Sequence, residues 1–163
     1  MTLILTGGFL GSGKTTAIQQ ACNLLVKENK KVAVITNDQG EELVDSKFLK
    51  SFSIPVKEVT KGCFCCNYNS LLQNIYYFGK EINPEIIFAE SVGSCTDLVA
   101  TIAKPLAEMH PGLSVTISVF VDACLLCSII SGAASFIADS VSFIFKMQME
   151  DADILILNKI DLW

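Results

Sequence analysis

Residues 8–15 read Gly8-Phe9-Leu10-Gly11-Ser12-Gly13-Lys14-Thr15, and they give the strongest indication of the fold. It matches the pattern G-x-x-x-x-G-K-[ST] and stands between an apolar run at residues 2–6 and an amphipathic segment at residues 14–28. Glycine lets a backbone wrap around an anion, and the N–H groups that open the next helix point toward that anion. The stretch therefore predicts a phosphate-binding loop, or P-loop, that binds a nucleotide through Gly8, Gly11, Ser12, Gly13, Lys14, Thr15 and Thr16.

A P-loop also predicts which groups act on the phosphates during hydrolysis. The Lys14 ammonium would neutralise the β- and γ-phosphate oxygens, and the Thr15 hydroxyl would bind Mg²⁺. Glu90 ends the apolar run at residues 86–89, and Gly93 follows three residues later. The turn between them would bring the backbone N–H of Gly93 onto the γ-phosphate and so register hydrolysis.

A carboxylate at the end of a neighbouring strand would complete the Mg²⁺ site. Glu90 and Asp38 are the preferred candidates, because each stands at the end of a run that predicts a strand. Asp122 ends a third such run and competes for the same role. We therefore expect Mg²⁺ to be bound by Thr15, Asp38 and Glu90, with Asp122 as the weaker alternative.

Apolar runs alternate with amphipathic segments along the rest of the chain. The runs predict strands at residues 2–6, 31–36, 54–59, 85–89, 115–121 and 153–157. The amphipathic segments predict helices at residues 14–28, 68–80 and 97–109, with Pro105 as a kink, and one or two more that end at Met149. Strands that are apolar on both faces and separated by helices predict a three-layer α/β fold with a mostly parallel, doubly wound sheet.

The composition is that of one globular domain. The chain has 163 residues, of which 51% are hydrophobic and 18% are charged, and this excludes a disordered protein. The net charge of −5 disfavours nucleic acid as a partner. All 12 basic residues are lysines, so the chain cannot supply an arginine finger in cis.

The apolar run at residues 113–138 has two interpretations. Its length would suit a membrane span, and only Asp122 interrupts it with a charge. The β-branched first half favours instead a buried strand followed by a helix, so we expect no membrane segment. No charged segment followed by an apolar one stands at Met1, and closely spaced cysteines suit a reducing compartment. We therefore expect a cytoplasmic protein.

The motif Asn158-Lys159-Ile160-Asp161 follows the last predicted strand. The Asp161 carboxylate could accept hydrogen bonds from N1–H and the 2-amino group of guanine, and adenine offers neither donor. Asn158 could tie the base edge to the P-loop, and the Lys159 stem could lie over the purine plane. Together with the P-loop, this motif predicts that the nucleotide is GTP rather than ATP.

Three of the seven cysteines, Cys63, Cys65 and Cys66, lie close together in a predicted loop. Thiolates are soft ligands that suit Zn²⁺ or another transition metal, and three of them could converge on one ion. A fourth ligand would then come from Glu41, Glu42 or a second chain. The alternative is that these cysteines are small buried hydrophobic residues. We interpret the remaining cysteines as core or loop residues: Cys22, Cys95, Cys124 and Cys127.

This set of motifs resembles the GTPase domain of the CobW/HypB/UreG family of P-loop metallochaperones. The motifs that carry the resemblance, in this order and spacing, are residues 8–16, 37–41, 62–66, 90–93 and 158–161. The Cys-x-Cys-Cys triplet makes the CobW-like branch the most similar. The resemblance implies a SIMIBI-class fold, Mg²⁺-dependent GTP hydrolysis, and delivery of zinc or another transition metal to a client protein.

The resemblance also implies roles for individual residues. It implies that Cys63, Cys65 and Cys66 bind the metal, that Glu41 assists them, and that Asp38 lies in the first switch. Asp38 stands where the family usually has glutamate, and its shorter side chain could bind Mg²⁺ through a water molecule.

Some expectations go beyond the motifs. The chain stops at Trp163, directly after the last predicted strand, so we expect residues 1–163 to be a GTPase domain truncated at its C-terminal end. A homodimer across the nucleotide is left open. Two other functions fit parts of the sequence. One is a nucleotide-dependent interaction switch without metal, whose cysteines are core or redox-sensing, and the other is an ATP-dependent kinase of small molecules.

Overall fold

A computed structural model describes residues 1–37, 54–60, 62–132 and 138–162, which contain six strands. The strands are β1 (Thr2–Gly7), β2 (Val32–Thr36), β3 (Val56–Glu58), β4 (Ile86–Glu90), β5 (Ser114–Asp122) and β6 (Ile154–Asn158). The helices are α1 (Lys14–Lys27), α2 (Tyr68–Glu81), α3 (Lys104–Met109), α4 (Ala123–Ile130) and α5 (Asp139–Glu150). Each strand predicted from the apolar runs is present.

The strands form one parallel sheet in the order β3-β2-β4-β1-β5-β6. The chain first moves from β1 outward to β3 and then returns to place β4 between β2 and β1. This confirms the predicted doubly wound α/β fold. Thr6 of β1 and Thr36 of β2 both pair with Glu90 of β4, so these strands end level at one edge of the sheet. Ligands of such sheets bind at this carboxyl edge.

Side chains of the central strands alternate between two apolar cores, one on each face of the sheet. Leu3 and Ile87 belong to the core on one face, which α2 and α3 help to cover. On the other face, Ile18 and Cys22 of α1 pack with Phe88. Cys22 is fully buried, so of the two predicted alternatives, core or loop, it is a core residue. Cover on both faces explains why the central strands read as continuous apolar runs.

The helix predicted at residues 97–109 is present in a different form. Val99–Ala103 make a π-helical turn, and α3 follows directly. Pro105 has no N–H, and in a regular helix its ring would clash with the carbonyl group of the preceding turn. A wider turn before the proline avoids that clash. The irregularity expected at Pro105 is therefore present as a change of helix type.

The apolar run at residues 113–138 contains β5 and α4. Ile117, Val119 and Val121 of β5 are buried, and α4 begins directly after Asp122. Within the described ranges, no helix is both long and apolar enough to cross a membrane. The interpretation as a buried strand followed by a helix is therefore confirmed.

Candidate nucleotide and metal site

The P-loop connects the carboxyl end of β1 to the first turn of α1. Gly13 precedes α1 with a φ of 93°, a left-handed conformation that favours glycine. Lys14 is only 6% exposed, and its ammonium donates hydrogen bonds to Gly8 O at 2.8 Å and Phe9 O at 3.2 Å. Burial lowers the pKa of Lys14, and the nearby Glu90 carboxylate opposes that shift. The loop thus encloses a cation of its own, which could pair with phosphate oxygens.

A cleft of about 530 Å³ opens beside the P-loop. Its other walls are Thr36 and Asn37 at the end of β2, and residues 90–93 at the end of β4. Ser12 Oγ in the loop and Thr36 Oγ1 in the wall are buried, and neither has a hydrogen-bond partner among the described residues. Buried polar atoms in proteins are nearly always paired, so the Thr36 hydroxyl suits a cleft that holds a polar ligand.

Thr15 and Glu90 meet in this cleft. Thr15 Oγ1 donates a hydrogen bond to Glu90 Oε1 at 2.7 Å. The parallel pairing of Glu90 with Thr6 and Thr36 fixes its position at the edge of the sheet. A hydroxyl and a carboxylate are hard oxygen donors of the kind that Mg²⁺ prefers, so this pair fits a magnesium site. The third predicted ligand, Asp38, lies outside the described residues.

Asp122, the alternative magnesium ligand, has other partners. Its Oδ1 accepts a hydrogen bond from Leu125 N at 3.0 Å, which caps α4. Its Oδ2 accepts one from Lys159 Nζ at 2.8 Å, and this contact lowers the pKa of Asp122. Because Asp122 is absent from the lining of the cleft, Glu90 is the better candidate.

The Asn-Lys-x-Asp motif lies at the carboxyl end of β6, beside the P-loop. Asn158 Nδ2 donates a hydrogen bond to Ser12 O at 2.9 Å, which joins the motif to the loop. Lys159 has a φ of 60°, and Asp161 follows on the short 3₁₀ turn Ile160–Leu162. The Asp161 side chain is exposed, so its carboxylate is accessible to a purine base.

The loop after β4 packs against the P-loop at Gly93. A Cβ at Gly93 would lie 2.7 Å from Leu10 N, so a side chain there would force the two loops apart. Gln148 Nε2 of α5 donates hydrogen bonds to Gly93 O at 3.0 Å and to Cys95 O at 2.9 Å. Sequence reasoning identified Gly93 but missed Gln148, because one glutamine on an amphipathic helix carries no signal of the loop it will face.

The sulfur atoms of Cys63, Cys65 and Cys66 come together in the loop before α2. Cys63 Sγ lies 2.9 Å from Cys65 Sγ and 3.3 Å from Cys66 Sγ, and all three atoms lie within 4.8 Å of one another. Cys65 and Cys66 are exposed, so an ion can reach them. Three convergent thiols suit a soft ion such as Zn²⁺. Glu41, the predicted helper, lies outside the described residues.

The pKa values of Cys63 and Cys65 shift in opposite directions. Burial raises the pKa of Cys63, but hydrogen bonds with Cys65 and Cys66 outweigh burial and lower that pKa to about 7. The hydrogen bond with Cys63 and burial raise the pKa of Cys65. Thiolate is the form of cysteine that binds a metal ion, so the lowered pKa of Cys63 favours metal binding near neutral pH. In contrast, burial raises the pKa of Cys22 to about 12, so that thiol is inert.

Asn37 connects the cysteine loop to the cleft. It follows β2 directly, lines the cleft, and donates through Nδ2 to Val59 O at 2.9 Å and Gly62 O at 2.7 Å. Gly62 immediately precedes Cys63, so the start of the cysteine loop is held by a residue of the cleft wall. Sequence reasoning noted position 37 only as part of a motif. Its place directly after a buried strand is the signal that could have identified it.

Comparison with known proteins agrees with this combination of a P-loop and a cysteine triplet. A sequence model described as CobW/HypB/UreG, nucleotide-binding domain, matches residues 2–163. The chain belongs to the CobW/HypB/UreG family. The resemblance inferred from the motifs is therefore confirmed.

Named relatives of this CobW/HypB/UreG domain include zinc chaperones. It is 30% identical over 162 residues to the zinc chaperone YeiR of Escherichia coli, covering 96% of this chain and 46% of YeiR. It is 35% identical over 115 residues to zinc-regulated GTPase metalloprotein activator 1 of Dictyostelium discoideum, covering 62% of this chain and 22% of that protein. The chain thus spans less than half the length of these two relatives.

Among solved structures, the CobW/HypB/UreG domain has the fold of FlhF, whose crystal structure was determined in complex with GMPPNP and Mg²⁺. The TM-score is 0.58 at 18% identity, and the match covers 99% of this chain and 57% of FlhF. At this level of identity the similarity is one of fold, which agrees with the three-layer α/β architecture described above.

Proposed function

We propose that this domain is a GTP-dependent carrier of zinc, or of a similar transition metal, that hands its metal to a client protein in the cytoplasm. The adjacency of two sites carries the proposal, because Asn37 lines the nucleotide cleft and also holds Gly62 at the start of the cysteine loop. YeiR is named a zinc chaperone, which supports zinc as the metal carried.

The nucleotide would bind along the carboxyl edge of the sheet. Lys14 pairs with the β- and γ-phosphates, and the P-loop N–H groups surround them. Thr15 and Glu90 hold Mg²⁺, which when bound offsets the negative charge of the phosphate oxygens. Asp161 selects guanine by accepting from its N1–H and 2-amino group, with Asn158 fixing the motif to the loop.

Hydrolysis in this proposal is slow. All 12 basic residues are lysines, so no arginine of this chain can stabilise the charge of the transition state. Lys14 and the backbone N–H groups of the P-loop stabilise that charge instead. The backbone N–H of Gly93 binds the γ-phosphate and so responds to its loss on hydrolysis. Asp38 belongs to the first switch. Each turnover therefore serves as a signal for metal release rather than as rapid catalysis.

Zinc would bind to Cys63, Cys65 and Cys66 as their thiols lose protons. Because Asn37 bonds to Gly62 O, a change in the cleft is passed to the start of the cysteine loop. Zinc affinity then depends on the nucleotide, and GTP affinity must depend on zinc by the same factor.

The test is a zinc competition titration of the reduced protein against a metallochromic chelator, performed without nucleotide and with Mg·GTP. Cys63→Ser removes the central sulfur of the triplet, so we expect tight zinc binding to be lost. Cys127→Ser is the matched control, since Cys127 is a partly buried cysteine of α4 outside the triplet.

Tight binding that changes with nucleotide and disappears only in Cys63→Ser would support the proposal. If zinc binds tightly and its affinity is the same with and without nucleotide, the metal site is not coupled to the GTP site, which contradicts the proposal. No binding by the reduced wild-type protein would favour instead the nucleotide-dependent switch without metal.

A further inference from the structure

A buried glutamine of α5 holds the loop that follows β4. Gln148 is only 3% exposed, although it is a polar residue. Its Nε2 donates hydrogen bonds to Gly93 O at 3.0 Å and to Cys95 O at 2.9 Å. Carbonyl oxygens only accept hydrogen bonds, so the NH₂ end of the amide is the end that faces this loop. Both donors of the amide are therefore used to hold the loop in place.

Packing alone does not explain an amide at position 148. Gln148 Oε1 is buried and has no hydrogen-bond partner among the residues that the structure describes. An unpaired buried acceptor costs stability, and an apolar side chain of similar length would avoid that cost. What the glutamine contributes at this position is therefore its pair of hydrogen bonds to the loop.

The same loop is fixed at its start by β1. Ser91 N and Ser91 Oγ both donate hydrogen bonds to Thr6 O, each at 3.0 Å. The N–H of Gly93 lies between this anchor and the carbonyl groups that Gln148 binds, so the loop is held on both sides of it. Gly93 also lines the nucleotide cleft and packs against Leu10 of the P-loop. The place of the Gly93 N–H in the cleft therefore depends on contacts from β1, the P-loop and α5.

We propose that Gln148 is a positioning residue for recognition of the γ-phosphate. By holding Gly93 O, it keeps the Gly93 N–H where a γ-phosphate accepts its hydrogen bond, and so sets the preference for GTP over GDP. A second contact at the end of α5 supports this role, because Leu98 N donates to Asp151 Oδ2 at 2.8 Å and ties the same loop to the helix end. The inference rests on the proposed function, because it requires that the cleft binds GTP.

The test compares the affinities of the full chain for GDP and for a non-hydrolysable GTP analogue, both with Mg²⁺. Gln148→Met keeps the length of the side chain and removes both donors, and Gln148→Leu removes them with a different apolar side chain. Gln73→Met, at an exposed glutamine of α2, is the matched control. Far-UV circular dichroism confirms that each variant is folded, and if one Gln148 variant does not fold, the other decides the test.

The γ-phosphate distinguishes a positioning role from a merely structural one. We expect both Gln148 variants to weaken binding of the GTP analogue by about tenfold, the size of one lost hydrogen bond to a charged group. GDP has no γ-phosphate, so its Kd should change by less than about twofold, since no hydrogen bond to it is lost. The Gln73→Met control should keep the wild-type ratio of the two affinities.

The two ways of failing can be told apart. If the Gln148 variants weaken both nucleotides equally, or neither, Gln148 does not position the loop for the γ-phosphate, and the GTP site of the proposed function still stands. A wild type that binds GDP and the analogue equally tightly would also overturn the inference, because the γ-phosphate would not be recognised. If the wild type binds neither nucleotide, the proposed function is wrong and this inference falls with it.

Discussion

At the scale of single residues, Asn158 shows how one side chain joins two motifs. Its Nδ2 donates a hydrogen bond to Ser12 O at 2.9 Å. A Cβ at Gly13 would clash with this Nδ2 atom of Asn158. Gly13 also has a φ of 93°, which side chains other than glycine rarely adopt. Position 13 must therefore be glycine for two reasons, one from the P-loop backbone and one from the base-reading motif.

The first residue-scale prediction concerns guanine selection by Asp161. Asp161→Asn replaces an acceptor of two hydrogen bonds by an amide, so the N1–H and 2-amino group of guanine lose a charged partner. Each charge-assisted hydrogen bond is worth about 1.5–3 kcal/mol, so GTP affinity should fall by roughly tenfold to hundredfold. The new amide N–H can donate to the 2-oxo group of xanthine, so affinity for xanthosine triphosphate should rise. Equilibrium binding of fluorescent GTP and xanthosine triphosphate analogues measures both changes.

Asp139→Asn is the control for this prediction. It makes the same chemical change at an exposed aspartate in the first turn of α5, away from the nucleotide motifs. Its nucleotide preference should stay that of the wild type. If Asp161→Asn also kept the wild-type preference, Asp161 would not read the base.

At the scale of elements, the contacts that join the parts of the site are made by the loops that follow the strands rather than by the strands themselves. The loop after β4 contacts the P-loop at Gly93 and α5 through Gln148. The position just after β2 holds the cysteine loop through Asn37. These loops lie at the carboxyl edge of one parallel sheet, where ligands of such folds bind.

An element-scale prediction follows for Gly93. In Gly93→Ala the new Cβ would lie 2.7 Å from Leu10 N, so the loop after β4 and the P-loop must separate. A misplacement of about an ångström at a reacting centre can lower a rate by about a hundredfold, and we expect a loss of GTP turnover of that order. Gly112→Ala is the matched control, because a Cβ there has no atom within 4 Å. Equal turnover in the two variants would show that the contact between these loops does not matter for hydrolysis.

At the scale of the whole molecule, the order of the strands brings the nucleotide and metal sites together. β4 is inserted between β2 and β1, so the loops that follow these three strands are neighbours in space. Asn37, directly after β2, therefore reaches the start of the cysteine loop. A sheet in chain order would keep β4 and the loop after it away from the P-loop.

The whole-molecule prediction is that metal and nucleotide affinities change together. Zinc should alter the Kd of a non-hydrolysable GTP analogue by the same factor by which that analogue alters the Kd of zinc, a factor on the order of tenfold. Calorimetric titrations in both directions measure the two factors. In Cys63→Ser, the affinity for the analogue should no longer respond to zinc. Tight zinc binding that leaves the analogue's Kd unchanged would contradict the coupling.

The features that could be predicted from the amino-acid sequence are those that depend on neighbouring residues. The P-loop, the Asn-Lys-x-Asp motif and the cysteine triplet each lie within a few consecutive positions, because a phosphate group, a base edge or a metal ion is surrounded by a short stretch of chain. The alternation of apolar runs and amphipathic segments predicted the α/β fold and its parallel sheet for the same reason. The sequence also predicted an irregularity at Pro105, but not its form as a π-helical turn.

Which loops meet could be read only from the folded chain. Asp38, Glu90 and Asp122 have similar positions in the sequence, but the register of β4 brings Glu90 to Thr15, whereas Asp122 pairs with Lys159. The physical reason is that the order of strands in a sheet depends on how whole faces of helices and strands pack, and local hydrophobic patterns do not record that packing.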